Sequence, residues 1–300
     1  MRKLIIIAIA MLAACSSSPE RKPLPEPVTD ARDAYELAVD AFNVGRYRDA
    51  IAGFHRAERR FLSLDDPHGV SAAAISQAEI QLLLGENDNA AKSLQGAKAA
   101  IARTGNKALS ERVQLMQARL AMEDDPANAR KLLSTLGDAM TPSVATQARL
   151  LLCELEMLQG ETDCAASLTA DGPSTTARIA HLQARAALQR GDLEAANVKL
   201  ERALDIYRSL AFRPGIAAVH ESSADLAMQA NKREVAKEHL ERALYLRLWI
   251  RDRVHAAEIL AQLAQLGDND EPYQRWRKTL LDESGEPEWD KMMEKLFTSR

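Results

Sequence analysis

The sequence predicts an all-α fold in which repeated helix pairs stack into a solenoid. The five residues 200–204 (LERAL) return unchanged as residues 240–244, 40 positions later. Recurrence at such a distance is typical of stacked repeats. No aromatic residue occurs between Phe61 and Tyr207, so the middle of the chain must pack with aliphatic side chains. Closely packed helices are therefore favoured over a sheet.

The first 14 residues read as an export signal. Arg2 and Lys3 precede a short apolar run at 4–12, and small residues follow it. A membrane-spanning helix needs about 20 apolar residues, so this run is too short to span a bilayer. We expect residues 1–14 to be removed as a signal peptide.

Residues 12–15 (LAAC) resemble the bacterial lipobox. The resemblance implies that Cys15 carries lipid, palmitate included, and becomes the mature N-terminus. Ser16 follows, and the Asp that retains Gram-negative lipoproteins at the inner membrane is missing. The expected location is therefore the periplasmic face of the outer membrane, with the acyl chains as a stable anchor. The alternative is an unmodified cysteine.

Residues 15–29 are predicted to be a tether between the lipid and the folded part. They contain three serines and four prolines. Such a composition cannot bury much apolar surface and favours extended polyproline geometry.

Residues 30–282 carry the helix pairs. A turn residue is followed by a small residue and then by a large apolar one, as in Gly45, Ala50 and Phe54. The turns at Gly85, Gly160, Gly191 and Asn231 continue the pattern, whereas Asp125-Pro126 replaces glycine in the third pair. This spacing resembles the tetratricopeptide repeat. The resemblance implies about six to seven antiparallel pairs and a groove lined by the first helix of each pair.

The segment 283–300 is predicted to form a C-terminal amphipathic helix. Its apolar residues share one face: Trp289, Met292, Met293, Leu296 and Phe297. A solenoid end needs a cover, so we expect a capping helix. A partner-binding helix is the alternative. All three tryptophans lie near this end and are expected to build the terminal core.

The tetratricopeptide resemblance also implies which residues line the groove. The inner-face positions are Arg32, Tyr35, Phe42, Asn43, Arg112, Leu115, Arg119, Glu154, Met157, Arg178, His181 and Arg185. Arg112 and Arg119 are seven residues apart, as are Arg178 and Arg185, so each pair lies on one helical face. Guanidinium groups suit carboxylates or acidic peptide segments. The alternative is a solvated face whose charges have partners on their own helix.

Cys153 and Cys164 fall at positions that face one another in the hairpin of the family. A disulfide between them is one expectation for an exported protein. Two buried small side chains is the other.

The charge and the motifs restrict the function. The formal net charge is −4, whereas nucleic-acid binding needs a basic footprint. No local signature of a catalytic or nucleotide-binding site occurs, and His255 with Glu258 is too few ligands for zinc. We therefore expect no enzyme activity, cofactor or metal.

The expected function is a scaffold that binds a protein or peptide partner in the cell envelope. Lipoproteins of this class help to assemble or regulate envelope machines. A peptide-binding adaptor for a periplasmic protease or hydrolase is one alternative, and an enzyme of unrecognised type is another. The oligomeric state and the partner's identity do not follow from the sequence.

Overall fold

The computed structural model describes residues 24–136, 141–267, 271–282 and 287–297, and every regular element in these ranges is an α-helix. The all-α prediction is confirmed. Among the described residues, no helix combines the length and the apolar character needed to cross a bilayer. The signal segment, Cys15 and most of the tether lie outside these ranges.

Fifteen helices are described. The first eight are α1 (Glu26–Asn43), α2 (Tyr47–Ser63), α3 (Pro67–Leu83), α4 (Asn87–Thr104), α5 (Lys107–Asp124), α6 (Pro126–Thr135), α7 (Pro142–Leu158) and α8 (Cys164–Ser167). The other seven are α9 (Pro173–Gln189), α10 (Leu193–Ser209), α11 (Arg213–Gln229), α12 (Arg233–Trp249), α13 (Arg253–Leu266), α14 (Glu271–Leu281) and α15 (Trp289–Phe297). Consecutive helices pack pairwise, and each pair packs on the next. The predicted solenoid is therefore confirmed, with an odd-numbered first helix and an even-numbered second helix in each of seven pairs.

Turn chemistry explains where the helices begin and end. The side chain of Asp66 accepts hydrogen bonds from the backbone N–H groups of His68 and Gly69, both at 3.0 Å, and so caps α3. Gly191 and Asn231 both take left-handed backbone conformations, with φ of 76° and 56°. A residue in this conformation ends a helix. The glycine and the asparagine therefore make the same kind of turn before the two LERAL copies.

The first helix begins earlier than the sequence suggests. We expected the repeats from residue 30, but α1 starts at Glu26. Pro27 lies in the first turn of this helix, where its missing N–H costs no hydrogen bond. The described part of the predicted tether thus contributes one helical turn to the first pair.

Small residues bring the helices close together. The two LERAL copies bury the same positions, namely Leu200 with Ala203 and Leu240 with Ala243. Small residues of the first helices are buried as well: Ala38, Ala78, Ala118, Cys153, Ala184 and Ala224. Because these side chains are short, neighbouring helix axes can approach and the longer leucines fill the grooves between them.

The fourth pair departs from the expected pattern. We predicted a full second helix after Gly160, but α8 has only 4 residues. The turns at Gly160 and Gly191 are too close in sequence to leave room for two full helices. A disulfide joins Cys153 of α7 to Cys164 of α8, with the Cα atoms 5.5 Å apart. The cross-link holds the short segment against α7.

The C-terminal helix covers the end of the stack. Trp289 and Met292 of α15 are buried in one apolar cluster with Trp276 of α14 and residues of α11–α13. The ring of Phe297 packs edge-on against Tyr245, with centroids 5.3 Å apart. Trp249 does not join this core as expected, because it ends α12 on the surface and is 54% exposed.

The array also curves back until its two ends touch. Ile250, between α12 and α13, is only 3% exposed and belongs to the same apolar cluster as Tyr47 of α2 and Leu84 at the end of α3. Nearby, the backbone of Gly85 packs so closely against Val254 that an added Cβ would lie 3.0 Å from its Cγ1. The groove predicted from the sequence is therefore closed by contacts between the first two pairs and the last two.

Two arginines add polar contacts to this closure. Arg48 of α2 donates to the carbonyl oxygen of Arg251 at 2.9 Å and forms an ion pair with Glu86. Arg213, at the start of α11, donates to the carbonyl oxygen of Val44 at 3.5 Å. The closure thus combines one buried apolar side chain with guanidinium-to-backbone hydrogen bonds.

Buried charges fix the turn that carries Ile250. Arg247 donates to Asp252 at 3.0 Å and to Glu221 at 2.8 Å. The Arg247 and Asp252 side chains are 5% and 0% exposed. Asp252 also caps α13 by accepting from the backbone N–H of His255 at 3.2 Å. A buried ion pair is a poor source of net stability, but its geometric demands can specify one arrangement.

Truncating Ile250 should test the closure. We expect Ile250→Ala to lower the free energy of unfolding by about 2–4 kcal/mol, because it removes buried methyl groups from the first-pair core. Urea unfolding followed by circular dichroism measures this. Leu37→Ala is the matched control, since Leu37 is 67% exposed, and it should change stability by less than about 0.5 kcal/mol. Equal losses in both variants would contradict burial of Ile250 between the two ends.

Candidate binding site on the inner layer

The odd-numbered helices form the inner layer of the curved array. The second helices, such as α10 and α12, leave one whole face exposed, whereas α3 is buried around most of its circumference. This is the arrangement that a tetratricopeptide-like stack requires, with first helices inside and second helices outside. The groove positions inferred from the sequence therefore fall on the layer that faces the enclosed side.

Side-chain hydrogen bonds join neighbouring inner helices. In each, a predicted groove residue pairs with a residue of the next inner helix that was not among the predicted positions. Tyr35 pairs with Ser76 at 3.0 Å, and Arg112 donates to Glu79 at 2.7 Å. These charges and hydroxyls have partners on the adjacent inner helix. The alternative of a charged face with partners on the same helix is therefore wrong for Arg112, and the same holds for Arg178, described next.

A charged cluster lies where α5, α7 and α9 pack side by side. We call Arg119, Glu154, Arg178, His181 and Arg185 the inner cluster. Arg178 donates to one carboxylate oxygen of Glu154 through both Nε and Nη2, at 3.1 and 2.9 Å. Arg119 and Arg185 lie near enough to influence the same carboxylate. One guanidinium group thus binds the carboxylate, and two more act on it electrostatically.

Electrostatics in the inner cluster favours an anion. Burial alone would raise the pKa of Glu154, but Arg178, Arg119 and Arg185 outweigh burial and lower it. Burial and the neighbouring charge of Arg178 lower the pKa of Arg119, although its residue surface stays exposed to solvent. Arg119 remains charged at neutral pH because the reference pKa of arginine exceeds 12. The cluster therefore holds more positive than negative charge.

His181 is neutral in this setting. Burial, and then the charge of Arg185, lower its pKa to about 4. Its Nε2 lies 2.8 Å from the hydroxyl oxygen of Ser222 on α11. The imidazole therefore adds a hydrogen-bonding group and no charge at neutral pH.

Neighbouring residues complete the site. Burial raises the pKa of Asp225 on α11, and Arg185 partly opposes this effect. A cavity of about 360 Å³ opens beside Arg178, between the starts of α7 and α9, and has Ser143 and Thr175 in its wall. There is therefore room for a ligand next to the inner cluster.

Some groove predictions are wrong and others do not reach the cluster. Leu115 and Met157 are 6% and 1% exposed and belong to the core. Phe42 packs on Tyr47 with ring centroids 5.6 Å apart, and Arg32 and Asn43 are exposed on α1. The family positions gave the correct helices, but a helix buried on two sides turns some of its inner positions into the core.

The spacing of seven residues does not make Arg112 and Arg119 donors to one group. Arg112 binds Glu79, whereas Arg119 donates to the carbonyl oxygen of Leu82 at 3.3 Å. Arg178 and Arg185 of α9 both act on Glu154, but only Arg178 is hydrogen-bonded to it. Sequence reasoning also missed Ser222 and Asp225, since nothing in the local pattern of α11 distinguishes them.

In the described part of the chain, no three His, Cys, Asp or Glu side chains lie close enough together to bind a metal ion. His255 bonds through Nδ1 to Asp252 at 2.8 Å. The same aspartate binds Arg247, so this group serves the closure.

Comparison with known proteins adds no assignment. No protein-family model matches the chain, and no curated protein matches it in sequence. The helical repeat arrangement is consistent with a tetratricopeptide-like fold on structural grounds alone.

The lowered pKa of His181 predicts a pH-dependent stability. Its folded pKa of about 4 lies below the unfolded value of about 6.5, so the unfolded chain takes up the proton first as the pH falls. Stability is therefore lost as the pH drops below about 6.5, by on the order of 1–2 kcal/mol at about pH 5. Urea unfolding should show a weaker loss in His181→Gln. His55→Gln, on the exposed face of α2, makes the same change as a control and should follow the parent protein.

Proposed function

We propose that this chain is a non-catalytic scaffold that holds an acidic segment of a partner protein against its inner cluster. The observation that carries the proposal is the ion pair of Arg178 with Glu154 beside a cavity, with Arg119 and Arg185 close enough to act electrostatically on the same carboxylate. An acidic side chain or a chain terminus would supply the missing negative charge. Guanidinium groups bind carboxylates through two donors at once, which favours this class of ligand.

The curvature of the array supports an extended segment over a folded domain. The first two pairs touch the last two through Ile250 and the backbone contacts of Arg48 and Arg213. A partner therefore reaches the inner layer most easily as a chain passing along it. Extended binding to a curved repeat surface is a common use of solenoids.

The adaptor hypothesis uses the same surface with a different partner. An adaptor for a periplasmic protease or hydrolase would bind many free peptides and release them. A scaffold would hold one protein. Both involve the charge of the inner cluster, so binding in either case should weaken as the salt concentration rises.

The proposed location rests on the sequence. Residues 12–15 resemble a lipobox, and Ser16 favours the outer membrane of a Gram-negative cell. A chain with more than one acyl group on Cys15 would stay attached to the periplasmic leaflet. The scaffold would then work on envelope machines whose parts lie within reach of that surface.

Photo-crosslinking in cells tests the scaffold. A photoreactive amino acid at Arg119 or Arg185 should give adducts with one and the same protein, identified by mass spectrometry. Arg202, on the exposed face of α10, is the control position and should not give this adduct. Adducts with many small peptides would favour the adaptor. The same adduct from Arg202, or none from either inner position, would count against both.

Lipid labelling tests the anchor. Cells fed alkyne-palmitate should label the protein, and Cys15→Ala should abolish the label and release the protein from the membrane fraction. The double variant Cys153→Ala/Cys164→Ala changes the other two cysteines and should keep the label. Label that persists in Cys15→Ala would show that Cys15 is not the attachment site.

A further inference from the structure

The contact between the two ends of the array leaves a charged cleft on the surface. Its volume is about 320 Å³, and it lies between the α1–α2 turn on one side and the starts of α11 and α13 on the other. We call six of the residues that line it the seam surface, of which Arg48 and Arg213 are half-buried and the others exposed: Val44, Arg46, Arg48, Arg213, Trp249 and Arg251. None of them belongs to the helices that carry the inner cluster.

The seam surface is strongly positive although the whole chain is acidic. Four arginines line it, and only two carboxylates pair with them: Asp49 lies 3.7 Å from Arg46, and Glu86 binds Arg48. Among the described residues, no carboxylate lies within ion-pair distance of Arg213 or Arg251. Two positive charges are therefore left to meet an outside anion.

Exposed apolar side chains stand beside these charges. Trp249 is 54% exposed and Val44 is 59% exposed. The guanidinium carbon of Arg213 lies 5.8 Å from the centre of the Trp249 ring. This contact holds the indole in place at the edge of the cleft, because a cation over an aromatic face is attracted to it.

This combination identifies the kind of partner. Tryptophan and arginine are the residues that contribute most to protein–protein binding energy. A nucleic acid would need a longer basic track. The cleft has room for one bulky side chain, and the surrounding guanidinium groups would pair with carboxylates on either side of it.

We propose that the seam surface is a docking site for an acidic protein segment that inserts one bulky apolar side chain beside Trp249. The segment would touch the α1–α2 turn and the α12–α13 turn at once. Because it would bind only when the two ends are in contact, docking would also stabilise the closed array. This inference is independent of the proposed function, since it uses other helices and another surface.

The probe for this site is a fluorescein-labelled peptide of glutamate and glycine with one central phenylalanine. Fluorescence anisotropy with the full mature chain should show binding that weakens as salt is added. Arg251→Glu and Trp249→Ala should each weaken it by about tenfold or more. Among the described residues, the Arg251 side chain makes no hydrogen bond or ion pair, so we expect its substitution to leave the fold in place. Arg59→Glu, on the exposed face of α2, makes the same charge change and should bind like the parent.

Several outcomes would overturn the inference. Equal binding by Arg251→Glu, Trp249→Ala and Arg59→Glu would place the peptide elsewhere, as would equal binding of a peptide with lysine in place of glutamate. Loss of binding only in Arg185→Glu would assign the peptide to the inner cluster, leaving the proposed function supported and the seam surface excluded. The absence of any binding up to millimolar peptide would also exclude it.

Discussion

The insertion of Ile250 into the core of the first two pairs is the contact on which the shape of this molecule depends. In an open solenoid each repeat touches only its neighbours, and stability is close to a sum of nearest-neighbour terms. Here an apolar side chain from the α12–α13 turn packs with Tyr47 and Leu84. The two ends therefore support each other, and the array becomes one cooperative unit with an inside and an outside.

The buried charges beside Ile250 give that contact its geometry. Asp252 caps α13 and binds Arg247, which also binds Glu221. Both the turn and the helix that follows it are then fixed relative to α12. The apolar contact supplies the driving force, whereas the ion pairs specify the angle at which the last repeats meet the first.

The fold carries two positively charged surfaces of different kinds. The inner cluster is formed by helices in the middle of the array, and its arginines act through shared proximity to Glu154. The seam surface is formed by turns at the ends and joins charge to the exposed ring of Trp249. Both are positively charged although the chain as a whole is acidic, because charge is distributed unevenly over the fold.

The middle of the array is also where the repeat is least regular. The fourth pair has a second helix of only one turn, tied down by the Cys153–Cys164 disulfide. The cross-link replaces contacts that a full helix would have made, since it confines a segment too short to bury much apolar surface. The inner helix α7, which carries Glu154, is thereby kept in register although its outer partner is short.

The sequence by itself determined the helical pairs, their order and most of their limits. These features depend on residues close together in the chain: the repeated LERAL segment, the alanines where helices pack closely, and the turn residues. They can therefore be predicted from the sequence pattern. Which helices face inward was an expectation implied by the tetratricopeptide resemblance. Tertiary structure decided the rest: that Trp249 lies on the surface, that Leu115 and Met157 are core, and that Arg178 of α9 binds Glu154 of α7. These features depend on how each helix pair is rotated relative to the one before it. Such rotations add up along the array, and the spacing of residues within one repeat does not specify their total.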